Sequence, residues 1–327
     1  MSKSSIEDFS SLFLSSEKKE QQGRSAVNNV IDKLISPERQ NERQNNSAAA
    51  ALDKESLSTL DLLNYFGMTE NPFGDSVNIR YFYKSKEHWN IYQKMKMSVE
   101  QNISLAMVCG QSGIGKTLIT QLLLMNLDQE KYQTIVVLVS PGMTKSALLK
   151  EILLELELGH LLKNASQTYD MIRILQDYVI GLYQKGKRLV IMIDEAHFLE
   201  SSSLHILRTI SNIELPEMKL VSILLFTEEI FLRRIKHESY NSLRNRMYVQ
   251  EELFPFDFAE MKEYIRFRIR TSGGDPDTLF EPDTYPILHT ATAGIAREVN
   301  NLCFNALTEA YLSKQKTISN RLLLNCL

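Results

Sequence analysis

One eight-residue segment, GQSGIGKT, constrains this chain most, because it fits the phosphate-loop pattern G-x-x-x-x-G-K-[ST] at every defined position. An apolar run of strand length, 103–109, precedes it, and a segment with helical character follows. In that order, backbone N–H groups of the loop and of the helix N-terminus can surround phosphate oxygens. The residues expected to bind a nucleoside triphosphate are Gly110, Gln111, Ser112, Gly113, Ile114, Gly115, Lys116, Thr117 and Leu118.

Two side chains of this segment carry specific chemistry. We expect Lys116 to reach the β- and γ-phosphates and the Thr117 hydroxyl to hold Mg²⁺. A second apolar run, 188–193, ends in two acids, Asp194 and Glu195. The pattern predicts Asp194 as a ligand of Mg²⁺ and Glu195 as the general base that polarises the attacking water.

Four further residues are candidates with open alternatives. Thr227 ends the apolar run 220–226 and could touch the γ-phosphate, or be an ordinary strand-end threonine. Arg244 and Arg246 could neutralise charge on a neighbouring subunit's nucleotide as arginine fingers do, or be a surface pair. Arg297 lies in the first turn of a predicted helix, where the dipole disfavours a cation, so it could face an anion.

Two other sequence patterns resemble nucleic-acid-binding motifs but are not interpreted as such. The tetrapeptide Asp194–His197 spells the name of a helicase class, but the other helicase motifs are not recognisable. The basic segment 233–237 is predicted to be a solvated helix face, and it is the best local candidate for contact with a nucleic-acid backbone.

Composition changes twice along the chain. Residues 1–58 are polar and lack apolar periodicity, which predicts a mostly disordered tail, although two apolar clusters there could dock on a partner. Strands and helices then alternate over 59–256, as in a parallel sheet covered by helices. Residues 257–327 contain helical segments and no strand signal, so a small all-helical lid domain is expected.

The overall composition favours a soluble protein. Of the 327 residues, 43% are hydrophobic and 24% are charged, with a net charge of −3 that provides no global basic field for nucleic acid. The three cysteines are far apart, which suits a reducing cytosol. We recognise neither a signal peptide nor an apolar run of membrane-spanning length, so any membrane association is expected to come through a partner.

With these motifs the chain resembles an AAA+ ATPase. The finer similarity is to the ExeA/GspA group, bacterial ATPases linked to type II secretion. It is carried by FGMTENPF at 66–73, by RYFY at 80–83 with Ser85 and His88, by RNRM at 244–247, and by GIAREVN at 294–300 followed by Leu302 and Cys303. It covers about residues 60–325.

The resemblance implies roles for several residues. Thr227 would be sensor 1, Arg246 the preferred finger over Arg244, and Arg297 sensor 2, while Pro72, Phe73 and their neighbours would lie near the adenine. Ala296 stands where the group usually has proline, and the tail is not part of the group's pattern.

The resemblance also implies partners. It implies ATP and Mg²⁺ as cofactors, a homo-oligomer in the form of a ring or filament, and a protein partner in secretion or envelope assembly. The related TniB, TnsC and MuB ATPases share much of this core. They make duplex DNA a second candidate partner, with a role in selecting transposition targets.

Overall fold

The apolar runs singled out in the sequence lie side by side in the computed structural model, which describes residues 58–165 and 167–327. The predicted polar tail, 1–58, lies outside the described residues except for Ser58. The strands are β1 (Leu105–Cys109), β2 (Tyr132–Leu138), β3 (Arg188–Asp194), β4 (Glu214–Leu215), β5 (Met218–Lys219), β6 (Val221–Thr227) and β7 (Met247–Glu252).

Helices cover the sheet and make up most of the chain after it. They are α1 (Thr59–Tyr65), α2 (Lys86–Glu100), α3 (Lys116–Asn126), α4 (Lys145–Glu155), α5 (Thr168–Gln184), α6 (Ser201–Ile210), α7 (Glu229–Ile235), α8 (Asn241–Arg244), α9 (Phe258–Thr271), α10 (Thr284–Thr292), α11 (Ala296–Leu312) and α12 (Asn320–Leu324). Short 3-10 turns occur at Ile79–Tyr81, Gly159–Asn164, Ala196–Phe198 and Glu238–Tyr240.

Five strands form one parallel sheet in the order β2-β3-β6-β1-β7. Because the strands are parallel, β1, β3 and β6 all end at the same edge. This edge holds the phosphate loop, Asp194 and Thr227. The predicted α/β class, a parallel sheet sandwiched by helices and followed by a helical region, is confirmed.

Alternate residues of each central strand enter two different cores. In β1, Leu105 and Met107 pack with α4, α5 and α6 on one face, while Ala106 and Val108 pack with α2 and α3 on the other. The same alternation continues through β3 and β6. Burial on both faces explains why these strands are continuously apolar in sequence.

The helical part has its own core, which includes apolar residues of α9, α10, α11 and α12. Leu62 and Leu63 of α1 pack into this core, and the Thr69 N–H donates to the Ser272 carbonyl over 2.8 Å. The segment before the sheet therefore packs with the helices that follow it. Ser58 caps α1 by accepting from the Asp61 N–H, which satisfies a free donor of the first turn. The division at residues 256 and 257 stays a prediction.

Two local features differ from the sequence-based expectation. Residues between α6 and β6 form a small antiparallel hairpin, β4–β5, that was not predicted. The sequence predicts one helix over 144–158, but α4 ends at Glu155, because the chain turns at Glu157 with a positive φ and continues as a 3-10 turn. Over 58–165 and 167–327, none of the helices combines the length and the apolar composition needed to cross a bilayer.

Candidate functional site

The phosphate loop joins β1 to α3, and its shape depends on glycine at one close approach. Gly113 has a φ of 78°, in the left-handed region. A Cβ there would lie 2.7 Å from the Cβ of Arg297, too close for any real side chain. The Arg297 N–H donates to the Gly113 carbonyl over 3.0 Å. Gly113 therefore lets the first turn of α11 rest on the loop.

Lys116 begins α3 and is only 5% exposed. Its Nζ donates to the carbonyl oxygens of Gly110 and Gln111, each at 2.9 Å, so the ammonium closes the loop on itself. Burial lowers the pKa of Lys116, against the opposing effect of Glu195, Glu228 and Asp194. The Lys116 donors thus lie inside the loop, where phosphate oxygens could replace the two carbonyls.

Thr117 and Asp194 meet across the site. The Thr117 hydroxyl donates to Asp194 Oδ2 over 2.9 Å, and Asp194 Oδ1 accepts from the Glu195 N–H at 3.0 Å. Asp194 is 5% exposed at the end of β3. A hydroxyl and a carboxylate are the oxygen ligands that Mg²⁺ takes beside phosphate and water, so this pair fits the ion.

Glu195 leaves the strand with an unusual backbone. Its φ is 56° and its ψ is 35°, a left-handed backbone conformation that residues other than glycine rarely adopt. This turn directs Glu195 into the same cavity that the phosphate loop lines. The sequence-predicted base and the loop are therefore brought together.

That cavity has a volume of about 230 Å³. It is lined by the loop, Glu195 and Arg297, and also by Tyr81, Tyr264 and Arg268. Pro72 and Phe73 do not line it. Phe73 is a buried member of the helical core, and the lining begins at the next residue, Gly74, and includes Asp75, Ser76, Val77 and Asn78.

Arg297 lines the cavity beside the loop. Its Nη1 donates to Ser112 Oγ over 3.4 Å, in addition to the backbone contact with Gly113. The side chain is exposed and reaches the loop from the helical part. An anion held in the loop would therefore meet this guanidinium.

The structure does not bring Thr227 into the cavity. Its side chain is fully buried, and its hydroxyl donates to the Glu228 carbonyl at 3.4 Å. The Thr227 carbonyl accepts from the Gly110 N–H at 3.1 Å. Thr227 touches the loop through its backbone only, so its sensor role stays a prediction.

Arg244 and Arg246 lie away from this chain's own loop. Arg246 directly precedes β7, whose first residue pairs with Leu105 at the start of β1, whereas the loop follows the end of β1. At about 3.3 Å per residue the strand separates the two by about 13 Å. Arg244 donates to the Lys236 carbonyl and to Asn241 Oδ1. Within the described ranges, the Arg246 guanidinium makes no hydrogen bond or ion pair.

Arg234 does not fit the predicted solvated face of 233–237. It is partly buried, packs over the Phe231 ring and donates from Nη1 to the His197 carbonyl at 3.1 Å. The helical period explains this result, because α7 turns Phe231 and Ile235 into the core and Arg234 lies between them.

Two residues of the site received no functional role from the sequence. His88 Nε2 lies 2.8 Å from the Ile114 carbonyl of the loop, and Nδ1 lies 2.7 Å from Ser85 Oγ. Burial lowers the pKa of His88, which fits a neutral ring donating from Nε2 and accepting at Nδ1. Arg268, 7% exposed, lines the cavity while donating to the Pro72 carbonyl and the Tyr264 hydroxyl. Only the resemblance to RYFY-x-S-x-x-H pointed to Ser85 and His88.

Comparison with known families agrees with this geometry. Residues 99–235 match the model of the AAA domain. The chain is also 29% identical over 249 residues to general secretion pathway protein A of Aeromonas hydrophila. The alignment covers 76% of this chain and 44% of that protein, so the chain spans less than half of this relative's length.

Solved structures show the same fold. The ORC2 protein of Aeropyrum pernix superposes with a TM-score of 0.61 at 15% identity, covering 79% of this chain and 71% of that one. The ORC1 protein of the same organism, solved in complex with DNA, gives 0.58 at 19% identity, covering 78% and 67%. The sequence match over 99–235, the fold and the loop geometry therefore agree on an AAA domain of the P-loop type in this chain.

Proposed function

We propose that this chain hydrolyses Mg·ATP at sites shared between identical subunits, and that it uses the cycle to drive or regulate a protein assembly. The observation that carries the chemistry is the meeting of three groups at one sheet edge. Glu195 lines the cavity of the phosphate loop, and Asp194 lies 2.9 Å from the Thr117 hydroxyl. Thr117 and Asp194 could hold the metal ion while Glu195 stays available to accept a proton. This combination supports hydrolysis of the nucleotide rather than binding alone.

The residues divide the work as follows. Loop N–H groups and Lys116 would hold the β- and γ-phosphates, and Thr117 and Asp194 would hold Mg²⁺, which would neutralise charge on the phosphate oxygens. Glu195 accepts a proton from the water that attacks the γ-phosphorus in line with the leaving oxygen. Arg297 connects the nucleotide to the helical part, so the two parts can move with the nucleotide state.

The position of Arg246 supports a shared site. Arg246 is too far from its own loop to stabilise charge there, and within the described residues its guanidinium makes no hydrogen bond or ion pair. The positive charge of Arg246 also contributes, after burial, to lowering the pKa of Lys219. Arg246 therefore lies near the positive charge of Lys219 without a counter-charge of its own in the part of the chain that the structure describes. The γ-phosphate of a nucleotide on a neighbouring subunit would supply that counter-charge. Arg244 is less suited because its guanidinium is already bound within the chain.

The biological role is carried by similarity alone. The relative from Aeromonas hydrophila is named for the general secretion pathway. We therefore infer a protein partner in secretion or envelope assembly, a cytoplasmic location, and contact with the inner membrane only through that partner. Sequence identity of 29% over less than half of that protein supports this role as a proposal.

DNA-dependent regulation of transposition is the alternative. A solved neighbour, the ORC1 protein, is in complex with DNA. Against this alternative, the chain has a net charge of −3, and Arg234 of the basic segment turns inward. Both observations reduce the basic surface available for phosphate backbones.

ATP turnover against protein concentration, with and without duplex DNA, tests the proposal. Turnover per subunit should rise with concentration, and DNA should leave it unchanged. Lys116→Ala should lose nucleotide binding. Glu195→Gln should bind ATP normally while turnover falls by at least about 100-fold. Near-normal turnover in Glu195→Gln would contradict the hydrolytic site, and strong stimulation by DNA would favour the alternative role.

A further inference from the structure

Three ionisable side chains meet beside the loop without any role assigned to their meeting. His197 Nδ1 lies 3.3 Å from Glu195 Oε2, and His197 Nε2 lies 4.0 Å from Glu228 Oε2. The imidazole thus stands between two carboxylates, one in the cavity and one at the end of β6. The His197 side chain is 9% exposed, and each carboxylate is 33% exposed.

His197 is fixed from several sides. It lies in the 3-10 turn Ala196–Phe198, and its ring packs 4.0 Å from the ring of Phe198. Arg234 of α7 donates to its carbonyl over 3.1 Å. Glu228 is the N-cap residue of the same helix. One helix therefore positions both Glu228 and the backbone of His197.

Glu195 itself has few restraints. Its backbone has left the β3 ladder, and its side chain accepts no hydrogen bond within the described residues. His197 Nδ1 is buried and, although it is 3.3 Å from Glu195, is not aligned for a hydrogen bond. Among the described residues, His197 is the basic side chain that lies within 4.0 Å of the Glu195 carboxylate, so it is the group placed to hold that carboxylate in one direction.

We propose that His197 is a positioning residue that aims Glu195 at the attacking water and couples it to Glu228. This inference rests on the proposed base role of Glu195. In this proposal Glu228, at the end of β6, is the residue that acts on Glu195 through His197. The neighbouring Thr227 is not, because its side chain is buried away from the cavity. Glu228 also acts on the pKa of Lys116, so it lies within electrostatic reach of the loop.

The first test separates turnover from binding. His197→Ala should lower kcat by about 10-fold to 100-fold, because a misplaced base costs rate, while the Kd for ATP stays unchanged. His197→Asn, whose amide can still donate to Glu195 but which lacks the nitrogen that faces Glu228, should recover part of the loss. His205→Ala, an exposed histidine on α6, is the matched control and should behave as wild type.

A double-mutant cycle tests the coupling to Glu228. Glu228→Ala should lower kcat in the wild-type background, and it should add little in the His197→Ala background because the two act through one contact. If His197→Ala fails to fold, His197→Asn replaces it in the cycle with Glu228→Ala. Wild-type kcat in His197→Ala would overturn the inference. So would losses that add fully in the double variant, or a loss that His197→Asn does not relieve.

Glu195→Gln keeps the two proposals apart. If Glu195→Gln retains turnover, the hydrolytic site itself is wrong. If Glu195→Gln stops turnover while His197→Ala does not change it, only the positioning role is overturned.

Discussion

At the scale of single residues, His88 supports the phosphate loop from outside it. Its Nε2 lies 2.8 Å from the Ile114 carbonyl, and a Cβ on Gly115 would lie 3.2 Å from the same nitrogen. The loop therefore rests on an imidazole ring that must stay neutral to accept from Ser85. Histidine is the side chain whose charge changes near neutral pH, so this support is sensitive to acid.

A pH dependence of stability follows. Burial lowers the pKa of His88 in the folded state below 6.5. The unfolded chain then binds more protons than the folded chain between the two values, so folding stability rises with pH in that window. The stability that neutral His88 contributes should be lost as pH falls from about 6.5 towards the folded-state pKa. We expect His88→Gln to remove this part of the slope.

Urea unfolding midpoints between about pH 5 and 8 measure the effect as the difference between wild type and His88→Gln. His160→Gln, at an exposed position, serves as the control and should keep the wild-type slope. Parallel curves for wild type and His88→Gln would show that His88 does not titrate in this way.

At the scale of elements, α11 connects the helical part to the loop through its first turn. The Arg297 N–H donates to Gly113, and its guanidinium reaches Ser112. A cation in the first turn is unfavourable for the helix dipole by about 0.3–1 kcal/mol. The residue is therefore placed against the preference of its own helix, as expected of a group that meets an anion.

Replacing Arg297 should weaken the binding of ATP without lowering the stability of the fold. Arg297→Ala should raise the Kd for ATP by about 10-fold, as expected when a charged hydrogen bond is lost, while the thermal midpoint stays equal or rises slightly. Isothermal titration and thermal unfolding measure the two quantities. Glu298→Ala, exposed in the same turn, is the control: it removes a charge that suits the dipole and should leave ATP affinity unchanged. Unchanged affinity in Arg297→Ala would remove its nucleotide contact.

At the scale of the whole molecule, the phosphate loop and Arg246 lie at opposite ends of the parallel strands. Parallel pairing of β1 with β7 fixes this separation, because the start of each strand lies beside the start of the other. Two incomplete subunits should then be able to repair each other. Lys116→Ala cannot bind nucleotide but still carries Arg246, whereas Arg246→Ala binds nucleotide but lacks the finger.

Mixing the two variants should therefore restore turnover. Each alone should hydrolyse ATP at least about 1,000-fold more slowly than wild type, the typical effect of losing an arginine finger. A titration of one variant into the other measures the recovered rate. Arg244→Ala, mixed in the same way, is the matched comparison and should already be active alone. Near-normal turnover by Arg246→Ala alone, with Arg244→Ala inactive alone and rescued by mixing, would move the finger to Arg244.

The sequence determined those features that are local in the chain. The phosphate loop, its lysine and threonine, and the acids that end β3 were placed by motif and by the apolar runs beside them. Strands buried on both faces are continuous apolar segments, so the class of the fold was also predicted. The hairpin β4–β5 was not, because two-residue strands leave no periodicity to detect.

Only the tertiary structure decided which distant residues support the site. His88 meets Ile114, Arg268 meets Pro72, and Arg234 meets His197 across long stretches of chain. Such contacts depend on how elements pack, which local patterns do not record. The same reason explains why Glu228, rather than Thr227, faces His197: strand alternation turns the Thr227 side chain into the core, and the chain has left the strand at Glu228.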